Sequence, residues 1–548
     1  MTTTATPASP GRMPGQIKYI IGNEACERFS FYGMRNILVP FLISSVLLAY
    51  LPDQAAREGA AKDLFHSFVI GVYFFPLLGG WLSDRYFGKY HTVLWFSLVY
   101  CAGHACLALF EDSRAGFFTG LFLIALGSGG IKPLVVSFCG DQFDQSNKSK
   151  AKLVFDAFYW IINFGSFFAS LLAPFLLHRF GPSVAFGIPG VLMFIATVVF
   201  WLGRHKYVHV PPSGNDPHGF MAVVMTALRR HAPGQGRPGL FVALSGVGLA
   251  ALLLLLWLLT VLGASPSWWP DFGFVISACL ALGVVIALGG WGASMQLERA
   301  RGAHPDAAVD GVRSVLQILI VFALVTPFWS LFDQKASTWI IQGRQMVMPD
   351  FAWLPQGMGD VLRGWFVSPS QMQALNPLLV MLLIPFNNIV LYPLLRRMGF
   401  QVTALRRMGW GIVFSGVAWI AAAVLQLWID GGDQVALAWQ SVPYLLLTFG
   451  EVLVSATALE FAYSQAPHAM KGVIMAFWYL TSTFGSLWVL LTNFGVRNEA
   501  VLGRIADSGL SENAFLMLFF AGFAFVAALA FAAYARRYPM QDNYRTAA

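Results

Sequence analysis

The chain has 548 residues, of which 57% are hydrophobic, 15% aromatic and only 11% charged. A water-soluble domain carries about 25% charged residues, and a disordered one combines low hydrophobicity with high net charge; the composition excludes both. It fits a helical protein that crosses a membrane many times, and the net charge of +8 then has to be explained by where the basic residues sit.

Residues 1–16 read as a short polar tail without a cleavable apolar core. At about 20 apolar residues per crossing, fourteen spans are predicted: 17–50, 62–87, 91–109, 115–137, 152–178, 183–203, 239–262, 273–296, 313–340, 371–395, 407–428, 438–463, 470–495 and 513–536. Six of them, within 17–205, precede a basic linker at 206–238 that is rich in Pro, Gly and His. A charge-poor hairpin follows at 239–296, then a second linker at 297–312. Six more spans fill 313–536, and 537–548 is a tail. The predicted class is an all-α membrane protein, two six-helix bundles plus an inserted two-helix hairpin. The loops Asp84–Lys89 and Arg396–Phe400 occupy corresponding places, and both are short, basic and glycine-containing. Such internal repetition suits a transporter whose halves move about a central site.

With the N-terminus inside, 23 Lys and Arg fall on the inner side and 8, Lys62 at the edge of span 2 among them, on the outer, while Arg28, Arg35, Lys132 and Lys335 lie within spans. The bias predicts an inner-membrane protein with both termini cytoplasmic. It also explains the net charge as topology and removes nucleic acid as a partner. The five cysteines lack metal-ligand spacing, so neither a metal site nor a disulfide framework is implied.

A charge at the bilayer centre costs roughly 2.5–3.5 kcal/mol, so charged residues within spans mark cavities or partners. Span 1 holds Glu24, Glu27, Arg28 and Arg35, spaced to share one helical face. Two acids with one close cation leave a carboxylate able to take a proton; the alternative is an ion cluster that fixes packing. Span 2 carries His66, an interfacial residue or a relay, and Tyr73. In span 4 the run Gly127–Pro133 leaves Lys132 inside the bundle. A phosphate loop needs Gly-Lys-Ser/Thr opening a helix. The chain has no such motif, which argues against ATP-driven transport. Span 7 has Trp329, Asp333 and Lys335; span 10 has Glu451, Ser455 and Glu460. Asn163, Asn376, Tyr32 and Trp478, read alone, serve packing. Arg35 and Lys132 come from the first half and Glu451 from the second, a pattern that suits a zwitterion with its carboxylate at the cations and its ammonium at the acid.

These residues carry a resemblance. Glu24-Ala-Cys-Glu27-Arg28-Phe29 resembles the first-helix ExxERF motif of the proton-dependent oligopeptide transporters, a branch of the major facilitator fold. Gly129–Pro133 with Gly140–Phe143, Phe158–Ser166, Phe328–Gln334, Gly450-Glu451, Leu459–Phe461 and Gln465–Pro467 extend it from about 17 to 536. The resemblance implies import of di- and tripeptides coupled to protons, in a bilayer, by a monomeric unit without cofactors or catalysis. It implies Glu24, Glu27 and Arg28 as the coupling cluster, with His66 and Asp333 contributing. Arg35 and Lys132 would bind the peptide carboxylate. Asn163, Asn376 and Glu451 would bind its amino end, with Ser455 nearby, and Tyr32, Tyr73, Trp329 and Trp478 would line side-chain pockets. Arg35, His66, Asp333, Lys132 and Glu451 would serve the gates. Phe31 stands where many members have Tyr, and Leu134 where Asn is common. The rival readings are a transporter of another small anion or drug on the same fold, a membrane-embedded hydrolase, and a channel.

Overall fold

The structure is a computed structural model that describes residues 13–143, 151–212, 216–231, 234, 236–264, 266–267, 269–465 and 470–538. Most of both expected tails, Lys148, Lys150 and Pro467 lie outside the described residues, as do the side chains of Lys152, Glu460 and Lys471. The described residues form nineteen α-helices and no strand beyond two isolated bridges. They are α1 (Ile17–Ser44), α2 (Gln54–Leu82), α3 (Gly88–Leu109), α4 (Arg114–Gly140), α5 (Ala151–Phe180), α6 (Pro182–Leu202), α7 (Phe220–Arg229), α8 (Pro238–Val261), α9 (Gly273–Met295) and α10 (Asp306–Asp333). There follow α11 (Thr338–Arg344), α12 (Gln356–Trp365), α13 (Leu375–Phe386), α14 (Tyr392–Arg397), α15 (Ala404–Asp430), α16 (Ser441–Gln465), α17 (Lys471–Val496), α18 (Glu499–Asp507) and α19 (Glu512–Ala535).

An all-helical chain is what hydrocarbon demands, because a helix pairs every backbone donor and acceptor within one segment. Among the described residues, twelve stretches are long and apolar enough to cross a membrane. Helices α2 and α3 fall into one of these, Gln54–Leu109, because a π turn at Ser83–Phe87 leads directly into Gly88. Gly88 has φ +71°, a conformation that side chains disfavour and glycine adopts freely. Helix α1 stands apart from the twelve: it carries Lys18, Glu24, Glu27, Arg28 and Arg35. A second π turn, Asn387–Leu391, closes α13 at the place corresponding to the end of α2.

Several predicted boundaries shift. Span 17–50 ends as an α-helix at Ser44 and continues as one 3₁₀ turn, Val46–Leu48. Helix α2 starts at Gln54 rather than 62, capped by Asp53 accepting from the Ala56 amide. This brings Lys62, counted as an outer-loop residue, inside the helix, where it is buried. The segment 313–340 is not one helix: α10 stops at Asp333, and a 3₁₀ turn at Gln334–Ala336 precedes α11. The linker 206–238 contains α7, whose Val223, Val224, Ala227 and Leu228 are buried. Helices α7, α12 and α18 have ten residues or fewer, too short to register as spans. Among the described residues, seven helices contain an internal proline: Pro40 in α1, Pro76 in α2, Pro133 in α4, Pro174 in α5, Pro189 in α6, Pro327 in α10 and Pro385 in α13.

Contacts divide the chain into two compact units, which are not simply its two sequence halves. The first comprises Met1–Gly214, Lys335–Pro393 and Trp428–Thr448. In it α1 packs on α5 and α6, and α4 on α2 and α3. The core is aromatic and aliphatic, with Phe41, Phe117 and Phe186 in mutual ring contact. The second unit comprises Asn215–Gln334, Leu394–Leu427 and Phe449–Ala548. There α10 packs against α17 and α19, and α8 pairs with α9. Trp419, fully buried on α15, donates its indole N–H to the Leu331 carbonyl at 3.3 Å.

The α2–α4 contact is closer than side chains allow. A Cβ added at Gly79 would lie 2.2 Å from the Gly129 carbonyl oxygen, while one added at Gly80 would meet nothing within 4 Å. Gly79→Ala should therefore force two backbones apart and destabilise the first unit by about 1–3 kcal/mol, the usual cost of overpacking. Gly80→Ala should be tolerated. Melting of the two variants in detergent checks this, and equal melting points would show that the helices do not approach so closely.

Candidate functional site

The α1 motif forms the ion cluster that its spacing suggests. Arg28 Nε lies 2.7 Å from Glu24 Oε1 and 2.9 Å from Glu27 Oε2. The three residues are buried, so the pairing is held out of water. One nitrogen thus serves two carboxylates. Glu24 Oε2 and both oxygens of Glu27 accept no hydrogen bond from the described residues, so Glu27 is held by charge alone. Arg35 and Lys132, also buried in this unit, face aromatic rings. Lys132 Nζ sits 3.4 Å from the Phe31 ring centre and 5.0 Å from that of Tyr73, and the Arg35 guanidinium lies 5.4 Å from that of Phe65. A ring face attracts a cation without neutralising it, so Phe31 holds Lys132 where a tyrosine would add a hydroxyl. Tyr32 and Tyr73 are half-buried.

The remaining first-unit candidates are tied down locally. His66, fully buried, shares a 3.0 Å hydrogen bond between its Nε2 and the Ser337 hydroxyl. Lys335 Nζ donates to Asn376 Oδ1 at 2.7 Å, and Asn376 Nδ2 donates to the Thr448 hydroxyl at 3.0 Å. Asn163 donates to the Tyr159 carbonyl one turn back at 3.0 Å.

In the second unit Asp333 is buried at the C-terminus of α10. An acid there opposes the helix dipole, so local preference does not explain its position. Trp329 and Trp478 contact each other edge-on, with ring centres 5.8 Å apart, and Phe322 packs on Trp478 at 5.3 Å. Glu451 and Ser455, one turn apart on α16, are both half-buried.

Other buried and half-buried polar contacts were not legible in the motifs. Ser30, one turn after Glu27, shares a 3.0 Å hydrogen bond with His104 Nε2 of α3, and both residues are fully buried. Asn36 donates to the Ser170 hydroxyl at 2.6 Å, tying α1 to α5. Lys89 binds Asp141 at 2.7 Å, joining the start of α3 to the end of α4. The available signal was a polar residue inside an apolar span; what was missing was any indication of its partner.

A family model described as the POT family matches residues 90–252 and 292–492, well over half of the chain. The chain belongs to the POT family. A crystal structure described as an auto-inhibited POT family peptide transporter is 66% identical, with TM-score 0.90, covering 97% of this chain and 99% of that one. The POT family transporter PepTSo is 61% identical, with TM-score 0.89, covering 97% and 100%. Peptide transporter family 2 of Caenorhabditis elegans is 29% identical over 436 residues, 76% of this chain. This POT chain spans about half the length of the curated relatives it matches. Its fold is the all-helical one of these transporters.

Removing Arg28 would leave two buried carboxylates without their cation. Breaking a buried pair in this way costs about 3–5 kcal/mol. Arg28→Gln should lower the melting temperature sharply, and adding Glu24→Gln should recover part of the loss. A single variant that melts like the parent would refute the energetic weight assigned to this cluster.

Proposed function

We propose that this POT family member is a proton:peptide symporter that imports di- and tripeptides by alternating access across a bacterial inner membrane. The reading includes fourteen spans, with bundles at 17–205 and 313–536, and cytoplasmic termini. One observation supports it above the rest: Arg28 is the close cation for both Glu24 and Glu27 inside an apolar bundle. Glu24 keeps one buried oxygen, and Glu27 two, that accept no hydrogen bond from the described residues, and an oxygen in that situation is a place for a proton. The family relationship supplies the substrate class.

In this mechanism a proton from outside adds to Glu24 or Glu27, with His66 and Asp333 contributing near the outer gate. Protonation weakens the hold of that carboxylate on Arg28. The peptide carboxylate binds Arg35 and Lys132, two buried cations set against the Phe65 and Phe31 rings, by charge-assisted hydrogen bonds. The amino end binds Glu451, Asn163 and Asn376, with Ser455 nearby. Tyr32, Tyr73, Trp329 and Trp478 receive side chains. Exposure to the more alkaline interior removes the proton, Arg28 pairs again, and peptide is released. Lys132 and Glu451, no longer occupied by substrate, then contribute to closing the inner side. The protein performs no covalent chemistry in this cycle.

The test uses purified protein in liposomes made alkaline and negative inside. Labelled dialanine should accumulate intact, and a protonophore should abolish the accumulation. Folded protein that takes up no dipeptide, or whose uptake of a small anion or drug is unaffected by unlabelled dipeptide, would move the assignment to another substrate. Glu27→Gln should abolish proton-driven accumulation while sparing peptide exchange across the membrane. Glu451→Ala should raise the KM for unmodified dipeptides; an unchanged KM removes Glu451 from the amino-end site.

A further inference from the structure

The inserted hairpin has an open surface. Only 17% of the most apolar window of α8 and 22% of that of α9 is buried, as in the stretch 369–397 at 17%, against 67% in α4 and α10. The beginning of α8 and the end of α9 lie together, since a Cβ added at Gly239 would meet the Gly292 carbonyl oxygen at 2.1 Å. At this end α7 packs on α8, α9 and α10 through its buried apolar face.

Arginines gather here, and only some of them face acids. Arg301 binds Glu298, Asp306 and Asp310, and Arg313 binds Glu298 and Asp310. These two arginines engage all three carboxylates of the cluster. Arg229, Arg230 and Arg237 have no carboxylate partner among the described residues. Arg230 is instead pinned by donating to the carbonyls of Arg299 at 3.2 Å and Arg301 at 2.8 Å, which leaves its charge uncancelled. Arg229 and Arg230, with Met225 and Thr226, line a depression of about 320 Å³. Apolar side chains are exposed on the same elements: Met221 near the start of α7, 64% exposed, Phe241 near the start of α8, 70%, and Trp291 near the end of α9, 59%. Tryptophan and arginine at a span end are characteristic of headgroup depth.

We infer that this end of the hairpin is a binding site for the headgroup of an anionic phospholipid of the surrounding bilayer. The phosphodiester lies on Arg229 and Arg230 with Arg237 alongside, and the glycerol and upper acyl chains lie on Met221, Phe241 and Trp291. Charge complementarity selects the anionic lipid: among the described residues, three arginines near the end of the hairpin lack a carboxylate partner. The open face of α8 and α9 provides apolar surface for the chains. The inference does not depend on the transport reading.

The test is native mass spectrometry of the full chain purified in detergent, with phosphatidylglycerol and phosphatidylcholine supplied together. The parent should retain phosphatidylglycerol in preference to phosphatidylcholine. Arg229→Gln with Arg237→Gln leaves Arg230 on its carbonyls and should weaken that preference roughly tenfold to thirtyfold, as expected for two cations beside an anionic lipid. Arg396→Gln with Arg397→Gln, a basic pair elsewhere in the chain, should leave it unchanged. Circular dichroism and melting in phosphatidylcholine micelles confirm that each variant is folded. Equal retention of both lipids by the parent overturns the inference. So does a preference that survives Arg229→Gln/Arg237→Gln, or one lost equally in the Arg396/Arg397 variant. Displacement of the lipid by inorganic phosphate would assign the site to a free anion instead.

Discussion

The structure depends on the absence of hydrogen-bond partners in hydrocarbon. Inside a bilayer every backbone donor and acceptor has to be met by the chain itself, which leaves helices as the economical solution for each crossing. The same rule orders the side chains. Arg28 is held by two acids, Lys132 by ring faces, Asn376 by Lys335 and Thr448, and His66 by Ser337. Magnitude separates these contacts from the surface ones. An exposed ion pair contributes about 0–1 kcal/mol, so the network around Arg301 mainly consumes charge. Breaking a buried pair costs several times more, which makes the α1 cluster a structural anchor.

Composition and pattern carried the fold class because they follow from the same rule: long apolar runs have no other stable arrangement in lipid. The clustering of Glu24, Glu27 and Arg28 was likewise legible, since offsets of three and four on one helix determine neighbours without knowledge of other elements. Where a residue's partner came from a distant segment, the sequence was silent. Nothing near His66 points to Ser337, 271 positions away. Nothing near Ser30 points to His104 on another helix. Asn376 was readable as polar and intramembrane, but its wiring to Lys335 and Thr448 needs the packed chain.

Helix ends were the least legible feature, and for a different reason. Hydropathy sees the membrane, whereas an end is set by caps and local turns. Asp53 begins α2 eight residues ahead of the apolar run, and this converts Lys62 from a loop residue into a buried one. The 3₁₀ turn at Gln334–Ala336 ends α10 seven residues before the predicted segment 313–340 does. Helix α7 is amphipathic and ten residues long, so a search for spans passes over it even though it packs on the ends of three of them.

The prolines within seven of the described helices have a mechanical consequence. Each removes one rung of the hydrogen-bond ladder and introduces a ring that crowds the carbonyl four residues back. A helix with a missing rung behaves as two stiff rods joined by a compliant joint, because tilting one against the other breaks no bond that was present. Such joints occur in α1, α2, α4, α5, α6, α10 and α13. In α4 the joint is Pro133, immediately after Lys132, so flexing that helix swings a buried cation through an arc while the α2–α4 glycine contact, four residues earlier at Gly129, acts as the fulcrum.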